Sequence, residues 1–239
     1  MRVLSYNIHK GIGGRDRRYQ LDRIIDVIEQ ENPDLICLQE VDRGVPRSRH
    51  DDQPRLLADY FTAKEKLFQL NVHLKVGGYG NLMLSRCPFV RRHQISLRLN
   101  RKKPRGAQMA VIETPEGQMQ LVNWHLGLVE AERTWQVQHL LNHHLFREAG
   151  ELPTLIIGDY NDWRNNLAQA VFEEAGFHQV TAPPSRFRSF PAYLPVCSLD
   201  KAFHRGALTI RHARVAHSAL ARQASDHLPL VVDFHLNEV

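Results

Sequence analysis

Five short polar segments follow one another along this chain, each beside an apolar run: Ser5-Tyr6-Asn7, Gln39-Glu40, Asn123-Trp124-His125, Gly158-Asp159-Tyr160-Asn161 and Ser225-Asp226-His227. Their residue types suit chemistry on a phosphate. A carboxylate can orient or deprotonate water, hard oxygens can hold a divalent ion, and amide or imidazole N–H groups can offset charge that builds on phosphoryl oxygens. Strands that stop at an Asn, a Glu, a His, an Asp and another His would aim these groups at one cleft.

Taken singly, each residue has an ordinary reading beside the chemical one. Glu40 is the best candidate ligand for a hard cation, which commonly takes only one or two protein carboxylates, yet strand-end glutamates are usually just solvated. Asn7 is either a metal-site residue or a turn residue after a strand. Asp159 suits orientation or deprotonation of water, Asn161 can donate its amide to a phosphate oxygen, and both are also good turn formers. His125 can donate to the phosphate. Asp226 and His227 are adjacent, so on an extended backbone they point apart and the imidazole needs a carboxylate from elsewhere. Asp200 is the one expected to hold it and raise its pKa, leaving Asp226 for a metal or the water.

The elements that must position these groups follow from periodicity. Strands are expected over 2–8 and 35–39, the second stopping at Glu40, with a helix between them over 19–31 that ends at Asn32-Pro33. A short helix is expected around Leu56, Leu57, Tyr60 and Phe61. Strict alternation of Phe68, Leu70, Val72, Leu74 and Val76 predicts a strand with that face buried. Further strands are expected over 82–85, 90–99, 108–114, 118–123, 154–157, 198–203 and 229–236, and helices over 129–147 and 167–175. Mixed strands with interspersed helices imply two sheets packed face to face with helices outside. The proline-rich stretch 182–197 reads as a shaped surface loop.

At 239 residues, with 43% hydrophobic and 24% charged residues, the composition is that of an ordinary globular protein. No linker interrupts it, so one domain over 1–239 is expected. Three separated cysteines, Cys37, Cys87 and Cys197, argue against a disulfide framework or a zinc knuckle and fit a reducing cytoplasm. The first residues turn polar too soon for a signal peptide, and no apolar run reaches the length of a membrane span. A net charge of +5 favours a polyanionic partner without naming it.

Five such segments in this order resemble the endonuclease/exonuclease/phosphatase superfamily of magnesium-dependent phosphoesterases. The resemblance rests on Asn7 in Ser-Tyr-Asn-Ile, Glu40 in Leu-Gln-Glu-Val, His125, Asp159 and Asn161 in Gly-Asp-Tyr-Asn-Asp, Asp200, and Asp226 with His227 in Ser-Asp-His-Leu-Pro. It covers essentially the whole chain. It implies an α/β four-layer sandwich of two mixed sheets flanked by helices, as in DNase I, and in-line attack of water with one or two Mg²⁺ or Mn²⁺ ions. In its terms Asn7, Glu40 and Asp226 belong to the metal site, Asp159 and Asn161 position water and phosphate, and Asp200 with His227 form the supporting dyad. Asn81, in a strand similar to one of the family, and Arg105, in Pro104-Arg105-Gly106-Ala107, are the phosphate contacts it suggests. Trp124 and Lys201 depart from the commoner pattern and bear on substrate rather than activity.

The substrate stays open at this level. Basic stretches at 15–18, 43–55 and 91–105 suit nucleic-acid backbone contact or are merely solvated loops. The aromatic-proline loop with Phe187, Phe190, Pro191 and Tyr193 can floor a pocket for a base, a sugar or a lipid headgroup. A phosphodiesterase or phosphomonoesterase acting on a small ester, nucleic acid or an anionic phospholipid headgroup is the leading expectation. A repair-type nuclease and a catalytically silent binding module are the alternatives, and no obligate protein partner is evident.

Overall fold

The computed structural model describes residues 1–237. In chain order they form β1 (Arg2–Asn7), α1 (Leu21–Glu31), β2 (Leu35–Arg43), α2 (Gln53–Tyr60), β3 (Glu65–His73), β4 (Gly78–Ser85), β5 (Phe89–Ser96), β6 (Gly106–Thr114) and β7 (Gly117–His125). They continue through α3 (Glu130–Asn142), α4 (His144–Arg147), β8 (Thr154–Asp159), β9 (His178–Gln179), β10 (Asp200–Arg205), β11 (Leu208–Val215), α5 (Ala221–Ala224) and β12 (Leu230–Leu236).

Two six-stranded mixed sheets result, ordered β11-β12-β1-β2-β4-β3 and β5-β6-β7-β8-β10-β9. Each has a parallel pair near its middle, β1 with β2 and β7 with β8, and the other pairings are antiparallel. The sheets face each other across an apolar core that takes Val3, Cys37 and Met83 from one and Ala110, Leu121 and Ile157 from the other. A second apolar cluster lies where α3 covers the outer side of the second sheet, built from Val122, Trp124, Ile156 and Phe203 against Val137 and Leu140. Strand alternation sorts β7 between the two: Leu121 joins the first cluster, and Val122 and Trp124 the second.

Polar side chains also bridge the sheets. Gln39, Asn123 and Gln108 are fully buried. Gln39 Nε2 donates to Asn123 Oδ1 at 2.8 Å, and Asn123 Nδ2 donates to Gln108 Oε1 at 2.8 Å and to the Leu38 and Leu82 carbonyls at 3.2 Å. Gln108 Nε2 donates to the Leu67 and Asn81 carbonyls at 2.6 and 3.1 Å. Leaving one such buried group unpaired costs about 1–3 kcal/mol, so this network fixes the register of one sheet against the other directly behind Glu40 and His125.

Several elements differ from the sequence expectation. β2 does not stop at Glu40 but continues to Arg43, because a bulge between Leu38 and Val41 absorbs an extra residue and holds Glu40 at φ 58°. β3 turns the other way from its apolar alternation: Leu67 and Gln69 are buried, while Phe68, Leu70 and Val72 are half-buried and Leu74 and Val76 are exposed beyond the strand. Gln69 faces inward because its Nε2 donates to the Ile95 carbonyl of the opposite sheet at 3.0 Å. The helix expected over 129–147 is broken at His143, whose extended backbone (ψ 134°) separates α3 from α4. At 168–172 the chain forms a π-helical segment rather than a longer α-helix, and β11 has no counterpart in the sequence reading.

Candidate active site

The parallel pairs explain where the polar segments meet. β1 and β2 bring Asn7 and the Glu40 bulge to their carboxyl ends, and β7 and β8 bring His125 and Asp159 to theirs, with His125 opposite Asp159 in register. Asp200 reaches the same edge from the other direction, as the first residue of β10 and the register partner of Asp159. His227 is not a strand end: Ser225, Asp226 and His227 form the loop before β12, anchored where Ser225 Oγ donates to the Asn7 carbonyl at 2.7 Å. Gly158 is required at the crossing of β7 and β8, since at φ 150° a Cβ there would lie 2.2 Å from the Trp124 carbonyl oxygen.

Asp159 is the centre of the arrangement. Its Oδ2 accepts from Asn7 Nδ2 at 3.0 Å and lies 3.3 Å from His125 Nε2 and 3.8 Å from His227 Nε2, while Oδ1 accepts the Asn161 backbone N–H at 3.0 Å. Burial and the nearby Asp200 raise its pKa above the usual carboxylate range, against the pull of His227. Asn161 sits at φ 50°, and one of its amide hydrogens is held by the Leu126 carbonyl at 3.0 Å.

His227 and Asp200 form a buried pair. Nδ1 of His227 donates to Asp200 Oδ2 at 2.8 Å, and Ser189 Oγ donates to the same oxygen at 2.5 Å. Burial alone would disfavour the imidazolium, but Asp200 and Asp159 overcome it and raise the pKa to about 10. Phe190 packs on the ring at a centroid distance of 4.9 Å. His125 behaves oppositely. Burial, then the Arg105 guanidinium and His227, push its pKa well below the ordinary value, so it is a neutral imidazole.

Glu40 lies across from this group and is paired with Lys10. Burial opposes its ionisation, yet Lys10 holds the carboxyl well below its usual range. Asp226 is partly exposed, 3.8 Å from His9 Nε2, and Asn7 Oδ1 accepts the His9 backbone N–H at 3.1 Å. Among the described residues, no three His, Cys, Asp or Glu side chains close on one point as a metal cage does. Glu40, Asn7 and Asp226 do offer hard oxygens, the donor set that suits magnesium, which keeps most of its waters. Lys10 beside Glu40 shows that a cation is accommodated at that carboxylate.

Arg105 is 6% exposed, forms no ion pair among the described residues, and leaves Nε without a partner. Asn81 is buried and its Nδ2 donates to the Gly106 carbonyl at 2.9 Å, placing it behind the turn that presents Arg105. Cations from three parts of the chain also gather over the Tyr79 ring: Arg47 at 5.1 Å, Lys103 at 5.3 Å and Lys10 at 5.7 Å.

A profile described as the Endonuclease/Exonuclease/phosphatase family matches residues 4–227. The chain belongs to that family. Membership makes it a phosphoesterase in general terms, of a kind that usually depends on a divalent metal. The chain is similar to the protein YbhP of Escherichia coli K12, 29% identical over 98% of this chain and 96% of that protein. Its fold matches an endonuclease/exonuclease/phosphatase protein of Beutenbergia cavernae with a TM-score of 0.80 at 24% identity, over 99% of this chain and 71% of the other. It also matches D. rerio TDP2 complexed with single-strand DNA product, with a TM-score of 0.74 at 20% identity, over 98% of both chains.

The sequence reading gives no role to Lys10 or Ser189, and it takes Lys201 as bearing on substrate. Lys10 follows Asn7 by three residues, but only the turn at His9–Gly11, with Lys10 at φ 65°, places its ammonium on Glu40. Ser189 was hidden in the proline-rich loop. Lys201 is followed by Ala202 and Phe203 in a buried stretch of β10, a signal that could have marked it. It is 1% exposed, donates to the Ser198 carbonyl at 2.6 Å, and burial lowers its pKa to about 8 despite Asp162 and Asp200. Trp124, by contrast, is fully buried against Tyr160 at 5.1 Å, in edge-on contact, and its departure from the family pattern belongs to packing.

Proposed function

We propose that this chain hydrolyses a phosphodiester, or a phosphomonoester, by in-line attack of a water that Asp159 orients and deprotonates. The observation that carries the reading is Asp159 Oδ2, set among Asn7, His125 and His227 at 3.0, 3.3 and 3.8 Å. Water oxygen forms the new bond to phosphorus, its proton passes to Asp159, and the bond to the leaving alkoxide breaks. His227, kept protonated by Asp200, and neutral His125 face the charge that develops on the phosphoryl oxygens. Arg105 supplies a cation for the same phosphate, and Asn161 has one amide N–H left for it. Glu40, with Asn7 and Asp226, would hold Mg²⁺ or Mn²⁺, which supplies Lewis-acid stabilisation when bound.

A nuclease is the second reading, favoured by the cations gathered over Tyr79, which suit successive backbone phosphates. A reducing cytoplasm is the compartment we propose, since Cys37, Cys87 and Cys197 are all free thiols. No helix among the described residues is long and apolar enough to cross a membrane.

The test is hydrolysis of DNA, RNA, phospholipids, inositol phosphates and bis(p-nitrophenyl) phosphate with Mg²⁺, Mn²⁺ or EDTA, beside Asp159→Asn. Turnover that needs the metal and falls on the order of 10³-fold in the variant supports the mechanism. Turnover that persists in EDTA or in Asp159→Asn overturns it, and none on any ester points to a silent binding module.

A further inference from the structure

Leu128, Val129, Trp163, Tyr193, Leu194 and Val196 are large apolar side chains with relative exposures between 48 and 66%. They lie on three loops that rim the catalytic edge of the second sheet, after β7, after β8 and before β10. Trp163 packs edge-on against Phe190 at 5.7 Å, and Phe190 covers His227. Phe190 pairs with Cys197 across the loop that carries Tyr193, Leu194 and Val196. The Leu128 carbonyl accepts from Arg133 Nη1 at 2.7 Å, and Arg133 lies 3.8 Å from Asp162, the neighbour of Trp163. Isolated apolar side chains on a surface need no explanation, but six of them grouped on the loops around one site point to a binding surface.

The same rim is basic. Arg164, Arg186 and Arg188 are exposed, Arg222 is half-buried with Nη1 3.5 Å from the Tyr193 carbonyl, and none of the four has an ion-pair partner among the described residues. Of the nearby carboxylates, Asp162 pairs with Arg133, while Glu130 meets only the neutral Asn166 amide at 3.0 Å, so the four arginines outnumber the free carboxylate beside them.

We propose that this rim docks the protein on an anionic phospholipid surface and that the substrate is a phospholipid's phosphodiester, an inference that rests on the hydrolytic reading above. Four of the six exposed side chains are aliphatic. They offer no flat face for stacking nucleobases but transfer favourably into hydrocarbon. The rim borders the catalytic mouth, so its occupant and the substrate are parts of one body, and a phospholipid brings acyl chains and a phosphoester together. Unpaired arginines match anionic headgroups, each worth on the order of fivefold in partitioning.

The test is sedimentation of the full chain with vesicles of phosphatidylcholine alone or mixed with phosphatidylglycerol, alongside Trp163 fluorescence. Binding should favour the anionic vesicles, with a blue shift that Trp163→Phe removes. The double variant Leu194→Asp, Val196→Asp should lose at least tenfold in partitioning, with its melting temperature and its hydrolysis of bis(p-nitrophenyl) phosphate unchanged. No partitioning, partitioning untouched by the double variant, or tighter binding to single-stranded DNA that the double variant abolishes would overturn the proposal. Soluble-ester hydrolysis by the parent reports on the chemistry separately, so failure of docking and failure of the hydrolytic reading are distinguishable.

Discussion

Two ion pairs, one buried and one half-buried, flank the cleft, and they are built differently. Asp200 and His227 are fixed in place: Asp200 by its position in β10 and by Ser189 Oγ on its Oδ2, and His227 by Phe190 tilted against its ring. Glu40 and Lys10 both sit on left-handed backbone, at φ 58° and 65°, one in a bulge and the other in a turn, and the lysine reaches its partner on a flexible stem. The first pair is a fixed charge distribution with one geometry. The second is a carboxylate whose positive partner can be exchanged. That contrast supports the proposed division of labour, with orientation and proton handling at the edge of β7, β8 and β10 and a cation at the edge of β1 and β2.

The largest effect should come from breaking the fixed pair. His227→Ala is expected to lower turnover on the order of 10²- to 10⁴-fold at saturating Mg²⁺. It also leaves Asp200 buried without its partner, at about 3–5 kcal/mol, so rates belong well below the variant's melting temperature. Near-normal turnover with only a lower melting point would reduce His227 to a structural residue.

Glu40→Gln probes the exchangeable pair and should act on metal instead. The Mn²⁺ concentration for half-saturation, read by electron paramagnetic resonance, is expected to rise about 10- to 100-fold while the fold melts near the parent temperature. An unchanged metal titration would remove Glu40 from the cation site.

The smallest effect is on stability against pH. His227 is raised from 6.5 to about 10 in the folded state, so its contribution is complete below about pH 6.5 and is lost as pH rises toward 10. Lys201 is lowered from 10.5 to about 8, and above pH 8 the unfolded chain binds the extra proton, so stability is regained there. The decline is therefore concentrated between about pH 6.5 and 8 and amounts to about 2 kcal/mol. Denaturant titrations across that window should show it, and a parent protein whose stability climbs between those pH values contradicts the arrangement.

Much of the scaffold was legible because apolar runs and their polar ends are local signals. β1, β7 and β8 stand out as buried strands, and Asn7, His125 and Asp159 mark their ends. The pairing of Asp200 with His227 was also legible, since the neighbours Asp226 and His227 on extended backbone point apart. Less legible were features that depend on what lies across a gap. Phe68, Leu70 and Val72 look like a core face, yet Gln69 faces inward because a carbonyl on the other sheet needs its donor. The bulge at Glu40 leaves no mark in composition, and neither does the meeting of Arg47 and Lys103 over Tyr79.

The sequence by itself determined which residue types were present to act on a phosphoester and which strands carried them, because alternation and strand-end polarity are written within a few neighbouring residues. The tertiary structure alone decided that Lys10 would neutralise Glu40, that Ser189 would brace Asp200, and that Leu128, Trp163 and Leu194 would share one rim. Those relations join segments from 11 to some tens of residues apart. The pairing of β1 with β2, and of β8 with β7 and β10, brings them within reach.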